Sequence, residues 1–262
     1  MESIRGTYML YPTTKTRKMK KKCLSYAFWG TSESVYKQGI MPNICLSKDH
    51  YPGWDIIIFA ARGSLEEKFK NELVQNGATL KELDFYPGWS GMFWRMLAIF
   101  MSDYSHVCIR DLDSLISERE AKAVQEWIKE DYLLHVMRDH PAHTAPIMGG
   151  MFGIKITNFT KNMFRPVKKI ILEAHCLSNQ SYWQVDQEFL ARNIYPHLQR
   201  SITEHDPYYA KKPFPSPRSR AHRYVGRPDI KLGEEIHLED SSLIAVDTYL
   251  SQQSHNTLRN YR

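Results

Sequence analysis

The chain is poor in cysteine and has no cysteine pattern: Cys23, Cys45, Cys108 and Cys176 are scattered, with no Cys-x-x-Cys pair. That argues against a disulfide framework and fits free thiols in a reducing cytosol. Long hydrophobic runs are missing as well. The longest, around residues 56–61 and 96–101, are far too short to cross a bilayer. The N-terminus has no signal-peptide h-region, so a soluble protein of a host or bacterial cytoplasm is expected. No Gly/Ser-rich or Pro-rich linker divides the middle. A chain of 262 residues with 42% hydrophobic content is therefore expected to form one large α/β domain with a full core.

The net positive charge can be located. Lys15, Arg17, Lys18, Lys20, Lys21 and Lys22 match the whole formal excess of +6. A charge so confined gives no reason to expect a nucleic-acid partner. Residues 1–22 read as a basic lead-in, either solvated or making peripheral contact with an anionic membrane. A second basic region, residues 211–231, carries Lys211, Lys212, Arg218, Arg220, Arg223, Arg227 and Lys231 among Pro213, Pro215 and Pro217. It cannot be regular structure, and it suggests a phosphate-bearing ligand. Residues 241–262 read as a tail or packing segment without a motif.

Between these segments strands and helices alternate. Residues 23–29 predict a strand closed by Gly30, residues 36–46 a helix, and residues 55–60 an Ile-rich strand after a Pro-Gly turn. Leu65, Phe69 and Leu73 form one helical stripe, and residues 78–85 read as extended. In residues 91–101, Met92, Met96, Ile99 and Phe100 make one helical face while Phe93 and Leu97 cover another. A helix apolar nearly all round is buried. Arg95 lies within it and must snorkel out, meet a carboxylate or point at a ligand phosphate.

The apolar run at 106–109 ends abruptly in Arg110-Asp111-Leu112-Asp113. Two carboxylates spaced i, i+2 after a strand can reach one hard cation and leave its other positions to water and phosphate oxygens; the competing reading is a solvated loop. Ser117-x-x-Glu120 is a capping box, and Ala121, Val124 and Ile128 continue the helix it opens. A further strand, residues 132–137, ends in Arg138-Asp139-His140. In open α/β sheets ligands sit outside such carboxyl ends. His140-Pro141-Ala142-His143 is a poor zinc pair, because Pro141 breaks the helical spacing and no third ligand is near. Gly149-Gly150-Met151-Phe152-Gly153 allows close backbone approach to a ligand, or is merely a turn. Val185, Phe189 and Leu190 mark a helix whose start carries Asp186-Gln187, after the aromatic pair Tyr182-Trp183.

Taken in order, Trp94-Arg95, Arg110-Asp111-Leu112-Asp113-Ser114 with Arg119-Glu120, Met137 to Pro141, Gly149 to Gly153 and Asp186 to Leu190 carry a resemblance. The chain is similar to GT-A-type nucleotide-sugar glycosyltransferases, most of all to small soluble ones of bacterial polysaccharide clusters and large DNA viruses. The resemblance implies a single GT-A (Rossmann-like) domain over residues 23–240, with a mixed, mostly parallel sheet flanked by helices. It implies Mn²⁺ or Mg²⁺ as cofactor, a nucleotide-sugar donor, with a UDP-sugar favoured, and a glycan or other hydroxyl acceptor. Inversion is the preferred course. Asp113 would be the direct metal ligand, Asp111 would be shared between metal and ribose, and His205 would return to the metal and diphosphate. Phe28, Trp29, Gly30 and Tyr36 would wall the base. Arg95, Arg110, Leu112 and Asp139 would hold the diphosphate and donor sugar, with Gly149 and Gly150 lining the sugar pocket. Asp186 would be the base, Asp139 its reserve, and His140, His143 and Gln187 would meet the acceptor.

Two other classes share the opening motif. Haloacid-dehalogenase-type phosphatases place Asp-x-Asp after a strand, but they need a later Lys and a further acidic pair, and no Asp-Asp or Gly-Asp-x-x-x-Asp element follows Lys155. A noncatalytic relative could bind a nucleotide or polyanion through the basic segments alone.

Overall fold

Strand and helix signals of the sequence become a seven-stranded sheet with helices on both faces. The computed structural model describes residues 20–30, 34–85, 88–174, 184–209, 212–218 and 224–227. Cys176, the Tyr182-Trp183 pair, most of the basic lead-in, Lys211, Arg220, Arg223, Lys231 and the 241–262 tail lie outside the described residues.

In chain order the elements are β1 (Lys21–Phe28), α1 (Val35–Gln38), α2 (Ile40–His50), β2 (Asp55–Ala61), α3 (Glu67–Gln75) and β3 (Ala78–Leu83). A 3₁₀ helix (Trp89–Phe100), β4 (Tyr104–Arg110), α4 (Glu118–Glu130), β5 (Leu134–Met137) and β6 (Met151–Lys155) follow. The described chain goes on through α5 (Asn158–Met163), α6 (Arg165–Glu173), α7 (Val185–Asn193), α8 (Tyr195–Leu198) and β7 (Ile202–His205). The sheet order is β3-β2-β1-β4-β6-β5-β7, and β6 runs antiparallel to both of its neighbours while the other pairings are parallel.

Strands covered on both faces read as near-continuous apolar runs, as β1, β2 and β4 do. Alternation then sorts their side chains between two cores. Cys23, Ala27, Ile57, Phe59, Val107 and Ile109 pack with the 3₁₀ helix and α6 to α8. Leu24, Tyr26, Phe28, Ile56, Ile58 and Cys108 pack with α2 and α4.

Residues 91–101, expected to be α-helical, instead wind as a 3₁₀ helix over Trp89–Phe100. Three residues per turn stack side chains at i and i+3. Ser90, Phe93, Met96 and Ile99 therefore share one wholly buried row, rather than the faces an α-helical period would give.

The chain builds outward from β1 through β2 to β3, then returns to add β4 on the other side of β1. That reversal of strand order lies at the carboxyl rim between β1 and β4, where α2 and α4 cover one face of the sheet and the 3₁₀ helix the other. Because β6 is antiparallel, its first residue, Met151, pairs with Arg110 at that same rim.

Candidate active site

Asp111 directly follows β4, at the reversal point. Arg95 reaches it from the 3₁₀ helix, whose backbone is pinned to β1 by a hydrogen bond from Ser25 Oγ to Arg95 O, 2.6 Å. One guanidinium serves two carboxylates: Arg95 Nη1 donates to Asp111 Oδ1 and Nη2 to Asp186 Oδ2, the latter at 2.7 Å. Asp186 lies in the first turn of α7, where Oδ1 also accepts from Gln187 N at 2.9 Å. Arg95 and Asp186 are buried, whereas the Asp111 side chain is 41% exposed. Burial holds the Asp186 carboxyl above its ordinary range, opposed by Arg95 and reinforced by Asp111.

The Gly149-Gly150 backbone closes over this cluster. A Cβ on Gly149 would stand 2.2 Å from Asp186 Oδ2, and one on Gly150 would stand 1.8 Å from Asp111 Oδ2. The close approach these glycines permit is made by the chain's own carboxylates, Asp186 at Gly149 and Asp111 at Gly150.

Asp113 is part-buried, and burial followed by the charge of Asp111 pushes its carboxyl up to about 6. Tyr36, 45% exposed, feels the same pair: burial, Asp113 and Asp111 raise its phenol. Two carboxylates facing one space at mutual electrostatic cost suit a hard divalent cation that takes its remaining ligands from water and phosphate. Among the described residues no group of three or more His, Cys, Asp or Glu side chains is arranged to hold a metal.

The loop carrying these aspartates is held by a residue the sequence reading passed over. Asn43 on α2 is buried; its Nδ2 donates to Leu112 O at 3.3 Å and Ser114 O at 3.2 Å, while its Oδ1 accepts from Ile116 N at 3.0 Å. A lone amide on the buried face of α2, beside Ile40 and Ile44, was the available signal.

Other expected site residues are drawn elsewhere. Arg110 points under α4, where it pairs with Glu120 at 2.5 Å, both side chains fully buried, and donates to Gly150 O at 3.0 Å. It braces the glycine turn from beneath α4. Its direction follows from parity, since Arg110 shares the face of Cys108. Ser117 caps α4 as expected, while the Glu120 carboxylate accepts from Arg110 and Tyr51.

Asp139 is fully enclosed. It accepts from Arg119 Nε at 2.8 Å and Nη2 at 2.9 Å, from Arg218 at 3.0 Å and from Val225 N at 3.0 Å. Asp139 thus ties α4, through Arg119, to Arg218 and Val225. Arg138 likewise pairs with Glu204 and Asp206. His205 is buried, with Nδ1 2.9 Å from His135 Nε2 and Nε2 3.1 Å from Glu126. Both ring nitrogens are engaged on the β5–β7 side of the sheet, so the structure does not bring His205 to Asp111 and Asp113.

His140 and His143 cluster with Tyr224 and turn back on the chain, accepting from Ala142 N and Asp139 N. Leu112 and Phe28 are core side chains. Gly30 lies against Ser34, which caps α1. In the second basic region, Lys212 pairs with Glu126 and Glu130, and Arg218 with Asp139.

No protein-family model matches the sequence, and no curated protein matches it either. Among solved structures the fold is similar to that of a nucleotide-diphospho-sugar transferase from Desulfovibrio desulfuricans G20, at 12% identity and a TM-score of 0.42 over 71% of this chain and 80% of that one. It is similar to glucosyl-3-phosphoglycerate synthase from Mycobacterium tuberculosis, solved with Mn²⁺, UDP and glucosyl-3-phosphoglycerate, at 13% identity and a TM-score of 0.45 over 71% of this chain and 69% of that one. A third similar structure, 4-diphosphocytidyl-2C-methyl-D-erythritol synthase from Anaerococcus prevotii DSM 20548, has 9% identity and a TM-score of 0.43 over 88% of this chain and 99% of that one.

Proposed function

We propose that this chain is a metal-dependent glycosyltransferase that moves a sugar from a nucleoside diphosphate, most simply UDP, to a hydroxyl acceptor. The observation that carries the reading is the bridge from Asp111 through Arg95 to Asp186 at the reversal point of the sheet, with Asp113 alongside. Asp111 and Asp113 would hold Mn²⁺ or Mg²⁺, which when bound offsets the negative charge that develops on the leaving diphosphate. Arg95 supplies a fixed cation beside them, already oriented and shielded from water. Tyr36, exposed near both aspartates, offers a ring for the base. Asp186 is the candidate base for an inverting transfer, because its carboxylate shares Arg95 with Asp111 and its proton affinity is raised by burial.

The test is turnover with a panel of nucleotide sugars, with and without Mn²⁺. Metal-dependent release of nucleoside diphosphate is expected. Release of inorganic phosphate from an added phosphate monoester would assign the Asp-x-Asp to a phosphatase, release of sugar 1-phosphate would assign nucleotidyl transfer, and binding without turnover would leave a noncatalytic nucleotide-binding protein.

A further inference from the structure

The carboxylate rim is not the only charged concavity. Phe100, Asn158, Lys161, Asn162, Arg165 and Lys168 line an open pocket of about 470 Å³ with no carboxylate among the described residues of its lining. Lys161 Nζ donates to Met101 O at 3.3 Å, and Lys168 Nζ lies 4.2 Å from the centre of the Phe100 ring. Phe100 and Met101 precede β4, whereas Asp111 follows it. Seven residues of strand at about 3.3 Å each separate the two places by roughly 20 Å along the sheet. The pocket is therefore no part of the rim described above.

Helix α6 explains the surface around it. Val167 and Ile171 bury one stripe against the core. The outward stripe is Arg165, Lys168, Lys169 and Leu172, at i, i+3, i+4 and i+7. Leu172 is 60% exposed, and Phe159 on the adjoining α5 is 54% exposed. Among the described residues the acidic partner on this stripe is Glu173, 3.9 Å from Lys169. Lys161, Arg165 and Lys168 thus converge without a carboxylate among the described residues, flanked by two large apolar side chains turned to water.

We propose that this face of α5 and α6 docks on a bilayer surface carrying anionic phospholipid. The pocket cations take a headgroup phosphate, while Phe159 and Leu172 enter the boundary between headgroups and acyl chains. This combination of basic and apolar side chains along one helix face is what an interfacial helix needs. A small soluble anion would account for the cations but not for the two exposed apolar residues. Docked through this flank, the protein keeps the Asp111 rim open to solvent.

The test is co-sedimentation of the full chain with phosphatidylcholine vesicles and with equimolar phosphatidylcholine–phosphatidylserine vesicles. Binding to the mixed vesicles is expected to exceed binding to neutral ones by about tenfold or more at low salt. It should fall by a similar factor in the triple variant Lys161→Gln/Arg165→Gln/Lys168→Gln. The basic residues 15–22 are retained in every protein compared, so the difference reads α5 and α6. A second variant, Phe159→Ser/Leu172→Ser, keeps every charge and should weaken the binding that survives at high salt; it decides the matter if the triple variant does not fold. Equal binding to both vesicle types, or wild-type binding by the folded variants, overturns the proposal. So does a concentration-dependent dimer abolished by the same substitutions, which would give the face to a second copy. Saturable binding of inorganic phosphate without vesicle binding overturns it in favour of a free anion.

Discussion

Gly150 packs against Asp111 so closely that a Cβ at position 150 would lie 1.8 Å from Oδ2 and 2.3 Å from Cγ. Backbone strain is not involved, since Gly150 is not among the positive-φ glycines. The glycine is required by contact, and any side chain there must push the Asp111 carboxylate away from its place beside Arg95. Gly150→Ala is therefore expected to keep the fold, at an overpacking cost of about 1–3 kcal/mol, and to weaken Mn²⁺-dependent binding of UDP by about tenfold or more. Calorimetric titration checks it, and undiminished affinity would show that Asp111 tolerates displacement.

Beneath that glycine, Arg110 joins Glu120 to the Gly150 carbonyl in a layer without water access. Removing one member leaves an uncompensated buried charge. Glu120→Ala is expected to destabilise the fold by about 3–5 kcal/mol, read as a shift of the urea midpoint. An effect of a few tenths would mean that water reaches Arg110.

The strands of the parallel half and the placing of Asp111 at a strand end were legible because apolar runs there are bounded by turn and cap signals such as Gly53 and Ser117. The 3₁₀ helix was not. A segment apolar on every side carries no period that separates three residues per turn from 3.6, so only packing against β1 decides. Arg110 was misdirected for a different reason: its motif neighbours suggested chemistry, while strand parity, readable from Cys108, already turned it under α4. Asp139 and His205 depended on partners distant in the chain, Arg218 for one and His135 for the other. No local pattern names such partners. The bridge from Asp111 to Asp186 through Arg95 is equally non-local, although a buried arginine did demand carboxylates from somewhere.

Buried histidines set the acid limit of the fold. Burial holds His106 and His143 down to about 4 from the ordinary 6.5, and it lowers His135 as well. The unfolded chain takes up these protons near pH 6.5, whereas the folded one resists until about 4. The stability these groups contribute is therefore complete above pH 6.5 and lost as pH falls from 6.5 towards 4. The raised carboxyls of Asp113, about 6, and of Asp186 act in the opposite direction over part of that range, against the lowered rings of His106, His135, His143 and His205. Urea midpoints measured across this interval should fall with acidity, and His106→Gln should flatten the fall. A midpoint that rises towards pH 4 would contradict the burial of the three rings.

Asp186 and Asp111 meet the same guanidinium but differ in access, Asp186 being buried and Asp111 part-exposed. That difference separates their proposed roles. Asp186→Asn retains the shape and, with the amide oxygen turned to Arg95 at the expense of the Gln187 N contact, an acceptor for Arg95, so Arg95 and Asp111 stay in place. Binding of UDP with Mn²⁺ should change by less than about threefold, since the buried amide offers the metal no new ligand. Transfer in the inverting course should fall by about 10²–10⁴-fold, the usual worth of a general base. Binding and single-turnover transfer measured on the same protein give the two numbers together. If both fall alike, Asp186 acts by holding Arg95 in position; if neither falls, the proton leaves the acceptor by another route.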